Sequence, residues 1–150
     1  MLKSTMQQRY DPFPTITLSV PHLKDVLARL RDTSLRRAIT IVHAQRDGEG
    51  DWILSTTAAR LKRGPFRHVG PEPMSAQALV EHATRVSAHV LLAGEVRRVS
   101  DAQALRAAAA LGMRVAAIIT ADERREVENL LGVLGPWENY DLRVISRQPA

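Results

Sequence analysis

Short apolar runs that alternate with helical patterns are the feature that most constrains the fold of this chain. The runs are AITIVHA, HVLLAGE, RVAAIIT and YDLRVIS. Short runs rich in β-branched or aliphatic residues and bounded by turn residues are typical of buried strands. Helical segments separate the last three runs, and strands joined through helices form right-handed βαβ units. The sequence therefore predicts a three-layer α/β fold, with a mainly parallel sheet flanked by helices.

The predicted helices have apolar faces and residues that begin or end a helix. In PHLKDVLARLRD the apolar residues share one face, and Pro21 suits the first turn. Ser75 is the predicted N-cap of AQALVEHATRVS. Ser100 or Asp101 is the predicted N-cap of the alanine-rich helix, and Gly112 is its predicted terminator.

Three segments lie outside this alternation. Residues 1–14 are polar and end in DPFP, which predicts a flexible N-terminal arm because X-Pro pairs disfavour helix, and residues 15–150 then form a single α/β domain. The glycines and prolines of RGPFRHVGPEP predict a loop. DWILSTTAARLK fits either a helix or the second arm of a hairpin that turns through GEG, and the sequence leaves both open.

Composition excludes several classes of function. The chain has 150 residues, 45% of them hydrophobic and 25% charged, which is the balance of one globular domain. It has no cysteine, so thiol nucleophiles, disulfides and cysteine-bound metals are excluded. No apolar run is long enough for a membrane span or a signal peptide, which predicts a cytoplasmic protein without membrane insertion. The net charge of +5 suits an acidic partner such as nucleic acid, anionic lipid or an acidic protein surface.

Catalytic and metal-binding motifs are scarce, and one basic cluster stands out. The five histidines have no metal-ligand spacing, and there is no Gly-x-Ser-x-Gly nucleophile elbow, so neither a metal site nor a cofactor is predicted. Phosphate or partner contacts are one interpretation of a basic cluster; a solvated basic face is the other. The cluster consists of Arg60, Lys62, Arg63, Arg67 and His68.

The C-terminal half carries an ordered series of motifs. MSAQALVEHATR leads into an apolar strand, then GEVR, an alanine-rich helix, a second strand ending in IITA and a further helix. This order and spacing over residues 74–147 resemble the RecA-like, P-loop-derived core of the secretion ATPases, which power type II and type IV secretion, conjugation and type IV pili. The resemblance implies that Glu95 corresponds to the Walker B glutamate and Arg97 to the arginine of the same motif. In the family that glutamate helps to orient water and the magnesium shell beside the γ-phosphate.

The sequence departs from the family at the positions that bind nucleotide. Met113 and Thr120 replace the two histidines of the family pattern. A P-loop needs G-x-x-x-x-G-K-[ST], whose backbone N–H groups and lysine hold phosphate oxygens. The segment at this place is QRDGEGDW, with Asp51 where the lysine would be and Trp52 where the hydroxyl would be. Residues 45–52 are therefore either a remnant P-loop or a hairpin turn, and both interpretations remove the phosphate lysine.

These departures predict a non-hydrolysing relative that binds and modulates a secretion, conjugation or pilus machine. The expected partner is the ATPase of such a machine or a related cytoplasmic component, and a homo-oligomer is left open. One alternative is a divergent nucleotide hydrolase in which Glu95 still acts and Arg46 or Arg63 replaces the lysine. The other is a small nucleic-acid-binding protein that uses the basic cluster.

Overall fold

The chain forms a single parallel sheet with helices on both faces. A computed structural model describes residues 14–45 and 48–146. Most of the predicted arm lies outside these residues, so the division into arm and domain stays a prediction. The elements in chain order are α1 Pro14–Arg31, β1 Ala38–Ala44, α2 Glu49–Leu61, β2 His68–Val69, α3 Ala76–Arg85, β3 Val90–Glu95, α4 Val99–Ala110, β4 Arg114–Thr120, α5 Arg124–Leu134 and β5 Asp141–Ser146.

The five strands lie in the order β2-β3-β4-β1-β5, and every neighbouring pair is parallel. The predicted three-layer α/β fold is thus confirmed, with all described strands parallel. Because side chains alternate along a strand, each central strand contributes to two cores. On β4, Val115 and Ala117 face the core beneath α3, α4 and α5, whereas Ala116 and Ile118 face the core beneath α1 and α2.

The ambiguous segment after β1 is a helix, so the hairpin interpretation is wrong. Gly48 adopts φ 84°, in the left-handed region, and the chain then enters α2. The first turn of α2 packs so closely on β4 that a Cβ on Gly50 would lie 2.6 Å from a side-chain carbon of Ile118. Ile53 and Leu54, on the inner face of this helix, are buried. Burial of this apolar face favours the helix over an exposed hairpin arm.

Other boundaries differ from the prediction at helix starts. The first helix begins at Pro14, so Pro21 lies inside α1 rather than in its first turn. The N-cap of α4 is Arg98, and Asp101 is the third helical residue. From there the Asp101 carboxylate accepts the N–H groups of Arg97 and Arg98, which precede the helix. Ser75 caps α3 as predicted and accepts the N–H of Ala78. The loop predicted as RGPFRHVGPEP contains the two-residue strand β2.

The described helices include none that is both long and apolar enough to cross a bilayer.

Candidate functional site

The carboxyl ends of β1, β3 and β4 meet at a crevice in the sheet. From β1 the chain crosses to the edge strand β2 through α2, and from β4 it crosses in the opposite direction to β5 through α5. These two helices cover opposite faces of the sheet. Parallel sheets bind ligands in the crevice at such a switch point. Glu95 is the last residue of β3 and lies at this end.

A pocket of about 270 Å³ connects the start of α2 with the tip of β3. Its walls come from the first turn of α2, the residues at the ends of β3 and β4, and the turn after β3. The lining residues are Gly48, Gly50, Asp51, Glu95, Arg97, Ile118 and Thr120. The structure thus places Glu95 and Arg97 beside Gly48, Gly50 and Asp51, which belong to the segment interpreted from the sequence as either a remnant P-loop or a turn.

Glu95 and Arg97 form an ion pair at the mouth of this pocket. The Arg97 guanidinium lies 2.8 Å from Glu95 Oε1, and the two side chains are 73% and 31% exposed, respectively. Exposure makes such a pair worth about 1 kcal/mol or less. The turn itself is held by Asp101, whose carboxylate accepts the N–H groups of Arg97 at 3.0 Å and Arg98 at 3.1 Å. The backbone after β3 is therefore fixed, while the Glu95–Arg97 pair faces water.

A second, larger pocket of about 550 Å³ shares this ion pair. It lies between the starts of α3 and α4, and Met74 and Arg98 are on its walls. Met74 is 45% exposed. Glu95 and Arg97 line both pockets, so the pair lies between an acidic crevice and a partly apolar groove whose walls carry both arginines and carboxylates.

Carboxylates occupy the start of α2, where an anion would bind. Helix N-termini attract anions through free N–H groups and the helix dipole. Here Glu49 is the first residue of α2, is 8% exposed, and accepts the N–H of Gln45 on Oε1 at 3.0 Å. Asp51 lies two residues further on and is exposed. The chain's own carboxylates thus stabilise this helix end.

These charges oppose a bound triphosphate. Asp51 and Glu95 are two of the pocket's lining residues, and the lining cation, Arg97, is already bonded to Glu95. Two unit charges about 4 Å apart interact by roughly 4 kcal/mol at an effective dielectric near 20. An anion in this pocket would therefore meet repulsion where a P-loop lysine supplies attraction.

The buried histidine His43 joins the ends of three strands, and no role was predicted for it. Its Nε2 lies 2.8 Å from the carbonyl oxygen of Ala121, and its Nδ1 lies 2.9 Å from Ser146 Oγ. A carbonyl only accepts, so Nε2 carries the proton and Nδ1 accepts from the serine hydroxyl in the neutral ring. Both nitrogens are satisfied, which makes this a structural histidine. Its place in the apolar run AITIVHA was the one available signal. In the described part of the chain, no three or more His, Asp or Glu residues are arranged to hold a metal.

The basic cluster lies away from this site. Arg60 and Lys62 are at the C-terminal end of α2, and a 13-residue helix is about 20 Å long. Arg63 therefore lies at the wrong end of α2 to replace a P-loop lysine, and Arg46 lies outside the described residues. His68 lines a separate pocket with Lys62, and burial, together with the Lys62 charge, lowers the pKa of His68 below its usual value.

Comparison with known proteins identifies the fold. No protein-family model and no curated protein matches the chain. The solved structure of the Legionella pneumophila ATPase DotB matches with a TM-score of 0.60 and 16% identity, covering 83% of this chain and 40% of DotB. A DNA replication initiation factor matches with a TM-score of 0.51 and 16% identity, covering 96% of this chain and 49% of that protein. The chain spans less than half the length of either protein.

These likenesses define the class of fold. The chain has the three-layer, RecA-like α/β fold of P-loop ATPases. The match with DotB agrees, at the level of the fold, with the distant and partial resemblance of residues 74–147 to the secretion ATPases.

Proposed function

We propose that this chain is a non-hydrolysing protein of ATPase-like fold that binds and modulates a secretion, conjugation or pilus machine. The observation that carries the proposal is the presence of two carboxylates, Glu49 and Asp51, in the first turn of α2, where the resemblance implies that Asp51 stands in place of a phosphate-binding lysine. Glu49 is bonded to the backbone of Gln45 there, and Asp51 lines the pocket beside Glu95. A fold that keeps the crevice and loses its attraction for phosphate is suited to binding a partner rather than turning over nucleotide.

The first prediction concerns nucleotide. We expect no measurable binding when Mg·ATP is titrated into the protein by calorimetry, because the first turn of α2 carries Glu49 and Asp51 and the pocket beside it is acidic. An intact secretion ATPase serves as the positive control under the same conditions. Binding with a dissociation constant in the millimolar range, lost in the variant Glu95→Gln, would contradict the proposal.

That outcome would favour the second candidate, a divergent nucleotide hydrolase. One specific observation favours it: Glu95 and Arg97 line the same pocket as the start of α2. In that case Glu95→Gln should also abolish phosphate release, and a cation from outside the described residues, such as Arg46, would have to supply the missing charge.

The partner surface in this proposal is the groove between the starts of α3 and α4. Met74 exposes apolar surface there, and Arg97 and Arg98 expose charge, with 73% and 76% of their side chains accessible. Interfaces favour this mixture of an apolar centre and arginine. The ATPases of the family act as rings, so a subunit look-alike can dock at an interface between subunits without contributing turnover.

The second prediction tests this surface. We expect a pull-down from a host that carries such a machine to recover one of its components, and we expect the variant Met74→Ser to lose that component. The matched control is Val133→Ser, because Val133 is 72% exposed on α5 and does not line the groove. Recovery of no component of the machine, or equal loss in the control, would rule out this assignment.

A further inference from the structure

The amino ends of the strands carry a second surface, different in charge from the candidate site. In a parallel sheet flanked by helices, the starts of the strands and the ends of the helices meet at one end of the domain. The exposed cations that the fold gathers at this basic end face are Arg31, Arg36, Arg37, Arg60, Lys62, Arg63, Arg67 and Arg85. No described acidic residue forms an ion pair with any of them.

Buried Arg114 connects the two halves of the basic end face. It begins β4, donates from Nε to the carbonyl of Leu30 at the end of α1, and lies 5.0 Å above the ring of Phe66, next to Arg67. Backbone hydrogen bonds continue the connection, because His89 N donates to Arg67 O and Arg114 N donates to His89 O. The cations that follow α1 and those that follow α2 therefore belong to one continuous surface.

Acids at this end are few, and two of them are already bonded. Asp32 accepts from both the N–H and the hydroxyl of Ser34, which lowers the pKa of Asp32, and Asp141 accepts from Arg29. The opposite end of the sheet carries carboxylates, among them Glu49 and Glu95. The domain thus has one positive end and one end rich in acids, and a polyanion would approach the positive end.

We propose that the basic end face binds the phosphate backbone of duplex nucleic acid without reading its sequence. All but one of the exposed cations are arginines, whose guanidinium fork matches phosphate geometry. Across the amino ends of its five strands, from β2 to β5, the sheet is about 19 Å wide, and a duplex carries on the order of ten charges over that length. This inference is independent of the proposed partner at the α3–α4 groove.

The aromatic residues of this face favour duplex over single-stranded nucleic acid. Single-strand binding relies on exposed rings on which bases stack. Phe66 is half-buried beneath Arg114, and Tyr140 is half-buried with Arg37 5.4 Å from its ring centre. Neither ring is free to stack on a base, so phosphate contacts carry the proposed binding.

The test is fluorescence anisotropy of a labelled 30-base-pair duplex of random sequence, titrated with the full chain over a range of salt concentrations. We expect binding that weakens steeply with salt, and we expect Arg60→Ser/Arg63→Ser to weaken binding by about tenfold or more at low salt and to reduce the slope of log K against log salt by about two. The matched control, Lys24→Ser/Arg125→Ser, removes the same net charge from exposed positions away from this end and should leave both quantities nearly unchanged.

Three outcomes would overturn the proposal. Absence of duplex binding at low salt removes it directly, and equal losses in the two double variants would assign the affinity to net charge alone. Phosphatidylserine vesicles serve as the competing probe, and tighter binding to them than to the duplex would assign the surface to lipid. Loss of duplex binding would leave the nucleotide and pull-down predictions untouched, because those depend on the opposite end of the domain.

Discussion

Gly70→Ala should destabilise the domain by about 3 kcal/mol or more, because two independent effects act at this position. Gly70 adopts φ 86°, a conformation that side chains disfavour, and a Cβ there would lie 2.0 Å from the carbonyl oxygen of Leu92. The contact is with backbone, so no rotamer change relieves it. The substitution must therefore push β2 away from β3 and expose Val69, which is 6% exposed in the native fold.

The matched control for this prediction is Gly112→Ala. Gly112 has a φ of 102°, also in the left-handed region, but no atom would lie within 4 Å of its Cβ. We expect about 1 kcal/mol of destabilisation there, from the backbone strain alone. Urea unfolding followed by circular dichroism measures both values. Equal losses in the two variants would show that the Leu92 contact contributes nothing.

The order of strands and helices was predictable because the three central strands, β1, β3 and β4, are largely apolar and buried along most of their length. Burial on both faces forces this composition, and the alternating helices then require a parallel sheet. The strand β2 was missed because it lacks such an apolar run. It has only His68 and Val69 and lies at the edge of the sheet, so it carries no apolar run and reads as loop.

Helix starts were less predictable because they depend on backbone contacts. Asp101 was recognised as a capping residue, but its carboxylate accepts the N–H groups of Arg97 and Arg98, so α4 begins before it. The segment after β1 was ambiguous because residues 48–52 combine turn-forming glycines with acids. The choice of helix follows from packing against Ile118, which no local pattern reveals.

The candidate site was predictable in part. The order of motifs indicated Glu95 at a strand tip, and the structure places it there beside Arg97 and the start of α2. Their chemical roles stay predictions. The hydrogen bond from the Gln45 N–H to the Glu49 carboxylate could not be predicted from the sequence. An acidic residue at the start of a helix is favourable there whether it is buried or exposed. The basic end face was only half predicted, since Arg31, Arg36 and Arg37 join the cluster through the topology rather than through sequence proximity.

Arg29→Met should cost about 3 kcal/mol of unfolding free energy, because the guanidinium is a buried polar hub whose partners would be left unpaired. Arg29 is 11% exposed in its side chain and joins α1 to two strands. Its Nε donates to Thr40 Oγ1 at 2.8 Å, and its two terminal nitrogens donate to the Asp141 carboxylate at 3.2 Å and to the Asp141 carbonyl at 2.8 Å. Methionine retains the apolar stem and removes every one of these bonds.

A double-mutant cycle separates the cost of the lost hydrogen bonds from the cost of leaving buried polar groups unpaired around Arg29. Thr40→Val alone should cost about 1 kcal/mol, since it removes one hydrogen bond from the hydroxyl of a residue that is 1% exposed. In the Arg29→Met background the same change should cost less, because it removes a buried hydroxyl that has already lost its partner. Asp141 is 37% exposed in its side chain and can turn to water, so it should contribute less to the loss than Thr40 does. Simple additivity of the two substitutions in urea unfolding would contradict the hub, and α1 would then be held to the sheet by its apolar face alone.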